Sequence, residues 1–149
     1  MELITIEELK KVIALNDLPD EHLQWLLDHS TATEYSDGEL ISKTGEPIDW
    51  MMFIIEGRVD FYMNVNGRLV FYHYFANDNE SGGVTGLLPY SRLKLSPGNS
   101  VSVGKLRGIR LHKEYFKELE RLNPSFIQRL IGYMTERARS FATTQMQLE

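Results

Sequence analysis

The run Val59-Asp60-Phe61-Tyr62-Met63-Asn64-Val65-Asn66-Gly67-Arg68-Leu69-Val70-Phe71-Tyr72-His73-Tyr74-Phe75 decides the fold. Val59, Phe61, Met63 and Val65 alternate with Asp60, Tyr62 and Asn64, the two-residue period of a half-buried strand. Asn66 and Gly67 both tolerate positive φ, so the chain is expected to reverse there in a tight hairpin. Leu69, Phe71, His73 and Phe75 then form one face of the return strand. Further turn signals stand at Asp37-Gly38, Thr44-Gly45, Glu56-Gly57, Asn77-Asp78-Asn79 and Ser96-Pro97-Gly98. Short strands at that spacing describe an all-β roll or barrel.

Outside this region the period becomes helical. Leu3, Ile6, Leu9 and Ile13 read as one amphipathic helix over residues 3–15, with Thr5 and Glu8 at capping-box spacing. Leu18-Pro19-Asp20 interrupts, and a second helix runs through Leu23, Leu26 and Leu27. After His112, Tyr115, Phe116 and Leu119 mark a short helix. Asn123-Pro124 ends it and opens a long one through Phe126, Ile127, Leu130, Ile131, Met134, Ala138 and Phe141. The expected fold is mainly β with flanking helices. An antiparallel, jelly-roll-like β-roll over 31–111 follows an N-terminal helical segment over 1–30 and precedes a C-terminal helix pair over 112–149. The last helix turns polar near Thr143-Thr144-Gln145 with no glycine cap, so the natural chain is expected to continue.

Composition bounds the function. The 149 residues suit one domain, and the formal net charge of -5 argues against a nucleic-acid surface, which needs a basic face. The absence of cysteine removes disulfides and thiolate metal sites, and fits a cytoplasmic setting. No apolar run reaches the roughly 20 residues of a membrane helix. His73 is the only histidine in the strand region, so a cupin-type metal site lacks its ligands, and His73 reads as a core or pocket-wall residue. No nucleophile stands beside a base, and no phosphate-cradling motif with a lysine occurs, so an enzyme is not expected.

Gly38-Glu39-Leu40-Ile41, Gly45 and Phe53-Ile54-Ile55-Glu56-Gly57-Arg58-Val59, between helices at both ends, resemble the glycine-punctuated strands of cyclic-nucleotide-binding domains. The resemblance covers Glu8 to Arg139. It implies a ligand cassette at Ser81-Gly82-Gly83-Val84-Thr85-Gly86-Leu87-Leu88-Pro89-Tyr90-Ser91-Arg92. In the family a glycine and a glutamate open this cassette, and a one-turn helix offers its N–H groups to the cyclic phosphate. An arginine then clamps the phosphate, and the glutamate accepts from the ribose hydroxyl. Here Gly83 matches and Leu87-Leu88 fit the short helix. Val84 replaces the glutamate, which would leave a ribose hydroxyl unpaired at about 1–3 kcal/mol. Either Arg92 or Asn99 holds the arginine's place, depending on how the inserted Leu93–Gly98 is aligned. Gly82, Gly83, Val84, Thr85, Leu87, Leu88, Arg92, Asn99 and Ser100 are therefore the candidate ligand residues, with Gly83, Thr85 and Arg92 foremost for an anion. The ligand is a cyclic nucleotide, a related anionic nucleotide, or none.

The run Leu87-Leu88-Pro89-Tyr90-Ser91-Arg92 also resembles cassettes of bacterial domains that precede histidine-kinase-like ATPase modules. That implies an N-terminal regulatory input of a signalling protein. Ile127, Leu130, Met134 and Phe141 lie near a coiled-coil seam, with Arg137 at an intervening position, so a homodimer through the last helix is expected. Two alternatives stay open: a degenerate, non-binding dimerisation module, and the effector half of a catabolite-activator-type transcription regulator. No nucleic-acid or membrane partner is expected for these residues.

Overall fold

The structure, a computed structural model, describes residues 2–148, with side chains described through Arg139. Two long strands make its frame: β3 (Trp50–Val65) and β6 (Gly98–His112). They pair antiparallel from Trp50↔His112 to Met63↔Gly98, with the register shifting on both sides of Glu56. Gly57 sits at this bend with φ +98, and a Cβ there would lie 2.4 Å from the Lys105 carbonyl oxygen. Only glycine lets the strands close at that point.

Below the bend, β1 (Thr31–Tyr35) pairs with β6, and β5 (Val84–Gly86) pairs with Met51–Phe53 of β3. Above it, β2 (Leu40–Ser42) joins β6 and β4 (Arg68–Ala76) joins β3. The β3–β4 turn is the expected Asn66-Gly67 pair, at φ 53 and 82. The sheet is open, in the order β1-β6-β3-β4. It is a mainly antiparallel β-roll with flanking helices, as the strand periods and turn glycines predict.

The return strand differs from expectation at one residue. Phe61 faces His73 while Tyr62 faces Phe71, so Tyr72 is an extra residue in β4. Such a bulge re-aims the side chains on either side of it. Leu69 and Phe71 are about half exposed, whereas Phe75 is buried, so the four residues do not share one face.

The N-terminal helix also departs from its periodicity. α1 spans only Ile6–Leu9, with the Thr5–Glu8 capping box formed, and a 3-10 turn follows at Ile13–Leu15. Tertiary hydrogen bonds break the helix: Ile13 N–H donates to Asn77 Oδ1 at 2.8 Å and Ala14 N–H to the Gly82 carbonyl at 2.9 Å. α2 (Asp20–His29), α3 (Phe116–Leu122) and α4 (Pro124–Leu148) follow the sequence reading. Asn123 Oδ1 accepts the Phe126 N–H, capping the start of α4.

The larger core lies between the lower sheet and the helices, and includes Leu9, Leu23, Leu26, Phe53, Ile109, Leu111, Phe126, Ile127 and Leu130. Burying a side chain of this size contributes roughly 1.5–3 kcal/mol. Phe126, Ile127 and Leu130 therefore anchor the first turns of α4 to its own domain. Between Ile131 and Arg139 the described contacts of the helix with this core are partly buried ones, through Ile131, Tyr133 and Met134. Two expected seam residues, Ile127 and Leu130, are thus spent inside the domain. Phe141 lies outside the residues whose side chains are described.

Arg107 joins the N-terminal segment to the roll. It is buried and pairs with Glu8 at 2.8 Å, Glu56 at 3.6 Å and Glu2 at 3.7 Å. A buried guanidinium is tolerable only with such partners. Hydrogen bonding to Arg107 holds the Glu8 carboxyl below its usual pKa.

Candidate ligand cavity

A cavity of about 690 Å³ opens between the upper roll, the cassette and α4. That volume lies within the range of small-molecule sites. Strands β3 and β4 supply Phe61, Tyr72, His73 and Phe75 to its wall, so the Tyr72 bulge places two adjacent residues in it. The cassette supplies Ser81, Thr85, Gly86 and Leu88, β6 supplies Ser100, and α4 closes the far side with Tyr133, Met134 and Arg137.

The cassette is not built as the resemblance implies. Val84–Gly86 pairs as a strand, and Leu87 N–H donates to the Trp50 carbonyl at 2.8 Å. Leu88–Ser91 then forms a turn closed by the Ser91 N–H on the Leu88 carbonyl at 3.1 Å, with Tyr90 at φ 68. Proline at the second position and positive φ at the third are the marks of a type II turn. The expected one-turn helix at Leu87-Leu88 is therefore absent. Strand pairing takes the backbone that a helix would need.

The loop's N–H groups are engaged as well. Gly82 N–H donates to the Asp78 carbonyl at 2.7 Å, Gly83 N–H to Ala76 at 3.0 Å and Val84 N–H to Ser81 at 3.2 Å. Asp78 Oδ1 further accepts the Ser81 N–H at 2.8 Å. Burial pushes the Asp78 carboxyl up, but the bonds from Ser81 and Tyr74 outweigh it and the pKa ends below its usual value.

The candidate residues divide accordingly. Thr85, Leu88 and Ser100 line the cavity. Gly82 and Gly83 are buried behind it, with φ 65 and 79. Val84 is fully buried in the larger core, and Leu87 is buried too. Arg92 is exposed and does not line the cavity, although its neighbours Ser91 and Leu93 do. Asn99 also stands outside the lining, and its Oδ1 accepts from Thr44 N–H at 2.8 Å and Thr44 Oγ1 at 2.9 Å. Neither residue supplies a cation to this cavity.

Arg137 of α4 does, and the sequence signal for it was its place in an apolar stripe. Its Nη2 donates to the Val84 carbonyl and, at 3.5 Å, to the Ser81 carbonyl. Its guanidinium carbon lies 4.6 Å from the Phe75 ring centroid. Burial lowers its pKa to about 10. The other ionisable groups of the lining have partners: Arg129 pairs with Asp17 at 2.7 Å, His73 with Glu80 at 3.5 Å and Glu136 with Arg139 at 3.2 Å. Among the described residues no carboxylate pairs with Arg137. Among them, too, no cluster of three metal-ligating side chains occurs, and no helix is long and apolar enough to cross a membrane.

No protein-family model matches the chain, and no curated protein matches it. Solved structures do. A cyclic nucleotide-binding domain from Methylobacillus flagellatus KT is similar at TM-score 0.73 and 15% identity, over 95% of this chain and 83% of that one. The regulatory subunit of a cAMP-independent protein kinase A from Trypanosoma cruzi, bound to guanosine, is similar at TM-score 0.71 and 21% identity, over 96% and 48%. The sensor domain of the transcriptional regulator DNR from Pseudomonas aeruginosa gives 0.69 and 15%, over 92% and 90%. The chain spans about half the length of the trypanosome subunits it matches. Its fold is that of cyclic nucleotide-binding domains.

Proposed function

We propose that this fold serves as a regulatory sensor, with a small anionic ligand in the cavity setting the position of α4. The observation that carries the reading is the placement of Arg137, which ties α4 to the carbonyl of Val84 across an open cavity. A ligand that enters there competes for the same guanidinium and redistributes two positions of the helix. α4 is firmly anchored by Phe126, Ile127 and Leu130 and less so beyond them, so movement is expected in its later turns. The output is a module following α4, of histidine-kinase-like type. Likeness to the sensor domain of a transcriptional regulator supports a DNA-binding module as the alternative. A homodimer contact then falls to α4 beyond Met134. A non-binding module would fill the cavity with its own side chains, and the open volume argues against that.

The test is a thermal-shift panel of cyclic AMP, cyclic GMP, guanosine and aromatic carboxylates. A ligand at a hundred times its Kd adds about 2.7 kcal/mol, or roughly 5–10 °C for a domain of this size. Gly132 lines the cavity from α4, is exposed, and has nothing within 4 Å of a built Cβ. Gly132→Leu should raise basal stability by up to about 1 kcal/mol through helix propensity, while filling the cavity and removing the ligand shift. No shift with any probe, or a shift unchanged in Gly132→Leu, would count against the reading.

A further inference from the structure

We infer that the cavity takes a flat apolar monoanion of the aromatic-carboxylate class, its carboxylate on Arg137 and its ring against Phe61, Tyr72 and Phe75. This rests on the sensor reading and names its ligand. The charge argument comes first. Arg129 and Glu136 line the cavity and are paired with Asp17 and Arg139, and Glu80 lies 3.5 Å from His73. Arg137 is the cation of the lining with no carboxylate partner among the described residues, which leaves it for an anionic group of a ligand. Its Nη2 is committed to backbone carbonyls, whereas Nη1 and Nε make no hydrogen bond among the described residues. Those donors suit a carboxylate. A guanidinium partly removed from water, its pKa already lowered by burial, gains more from an anion than an exposed one does.

The body of the ligand follows from the walls. Phe61 and Tyr72 meet edge to face at 5.9 Å, and Phe75 lies beneath Arg137. Leu88, Ile48 and Met134 extend this apolar surface. Aromatic rings favour flat partners in offset or edge-on packing. A ribose ring fits this lining poorly. The residue opening β5 is Val84, buried in the core, and of the two carboxylates on the preceding loop Asp78 accepts from Ser81 while Glu80 faces His73.

The experiment is calorimetric titration of the purified chain with 1-naphthoate and with its uncharged counterpart 1-naphthamide. Wild type should prefer the acid by about tenfold or more, as a charge-assisted hydrogen bond requires. Arg137→Met, which keeps the length and loses the charge, should bring the two ligands to near-equal affinity. Equal affinity in wild type overturns the assignment, and that arm needs no variant to fold. So does a preference that survives Arg137→Met, or failure of both ligands to bind. Cyclic AMP binding more tightly than 1-naphthoate and displacing α4 would overturn the ligand class and leave the sensor reading standing. Selective naphthoate binding without displacement of α4 would do the reverse.

Discussion

Gly82 and Tyr133 hold the cassette and α4 together, and substituting them in combination measures how tightly. A Cβ at Gly82 would lie 2.2 Å from Tyr133 Oη and 2.5 Å from Cζ, at φ +65. The backbone strain alone costs roughly 1–2 kcal/mol for a residue with a side chain. The clash adds a further ~1–3 kcal/mol, the usual cost of overpacking. Gly82→Ala should therefore lose about 2–5 kcal/mol in urea denaturation. Its α4 amides beyond Leu130 should also exchange faster, because displacing the Tyr133 ring loosens the packing of the helix on the cassette. Tyr133→Ala empties the space, so the new methyl group then fits and only the strain remains. The double variant should be less destabilised than the sum of the singles by about 1–2 kcal/mol, the coupling expected of residues in contact. Additivity within about 0.5 kcal/mol would show that the cassette and α4 are not packed as described.

Two further outcomes follow from the bend and its ion cluster. Gly57→Ala should cost about 2–4 kcal/mol in chemical denaturation, since its Cβ meets fixed backbone at 2.4 Å, whereas Gly38→Ala, at φ +80 in open space, should cost only the ~1–2 kcal/mol of strain; equal losses would refute the close approach. Glu8 and Asp78 both have folded-state pKa values below the usual 4.5 and 3.8. Their stabilisation is complete above those values and drains as pH falls through the lower folded ones. Glu8→Gln should flatten the acid limb of a stability–pH curve below about pH 4.5, and an unchanged limb would remove Glu8 from the account.

The fold was legible because its signals are local. Alternation in β3, the Asn66-Gly67 turn and the glycine at the bend are each written within a few residues of where they act. The departures all come from contacts distant in sequence. Asn77 and Gly82 break the first helix by taking N–H groups of Ile13 and Ala14. Pairing with β3 keeps Val84–Gly86 extended where the cassette pattern suggests the approach to a helix. The cavity's cation was hidden for the same reason. Arg92 ends the cassette in sequence and is exposed, while Arg137 is more than fifty residues from Val84 and reaches its carbonyl. An arginine interrupting the apolar stripe of the last helix was the visible trace, and a coiled-coil position explains it equally well until the roll beneath is known.

The proposed sensor function requires that occupancy of the cavity moves α4. The chain has no cysteine, so spin labels can be placed at two introduced ones, Ala32→Cys on exposed β1 and Thr135→Cys on the outer face of α4. Pulsed dipolar distances with and without saturating 1-naphthoate, and with cyclic AMP in a second arm, report the helix directly. The mean distance should shift by about 2 Å or more with whichever probe binds, the scale of helix displacements in switching proteins. The same shift should occur without ligand in Arg137→Met. A distance distribution unchanged by a probe that demonstrably binds would contradict the proposed function.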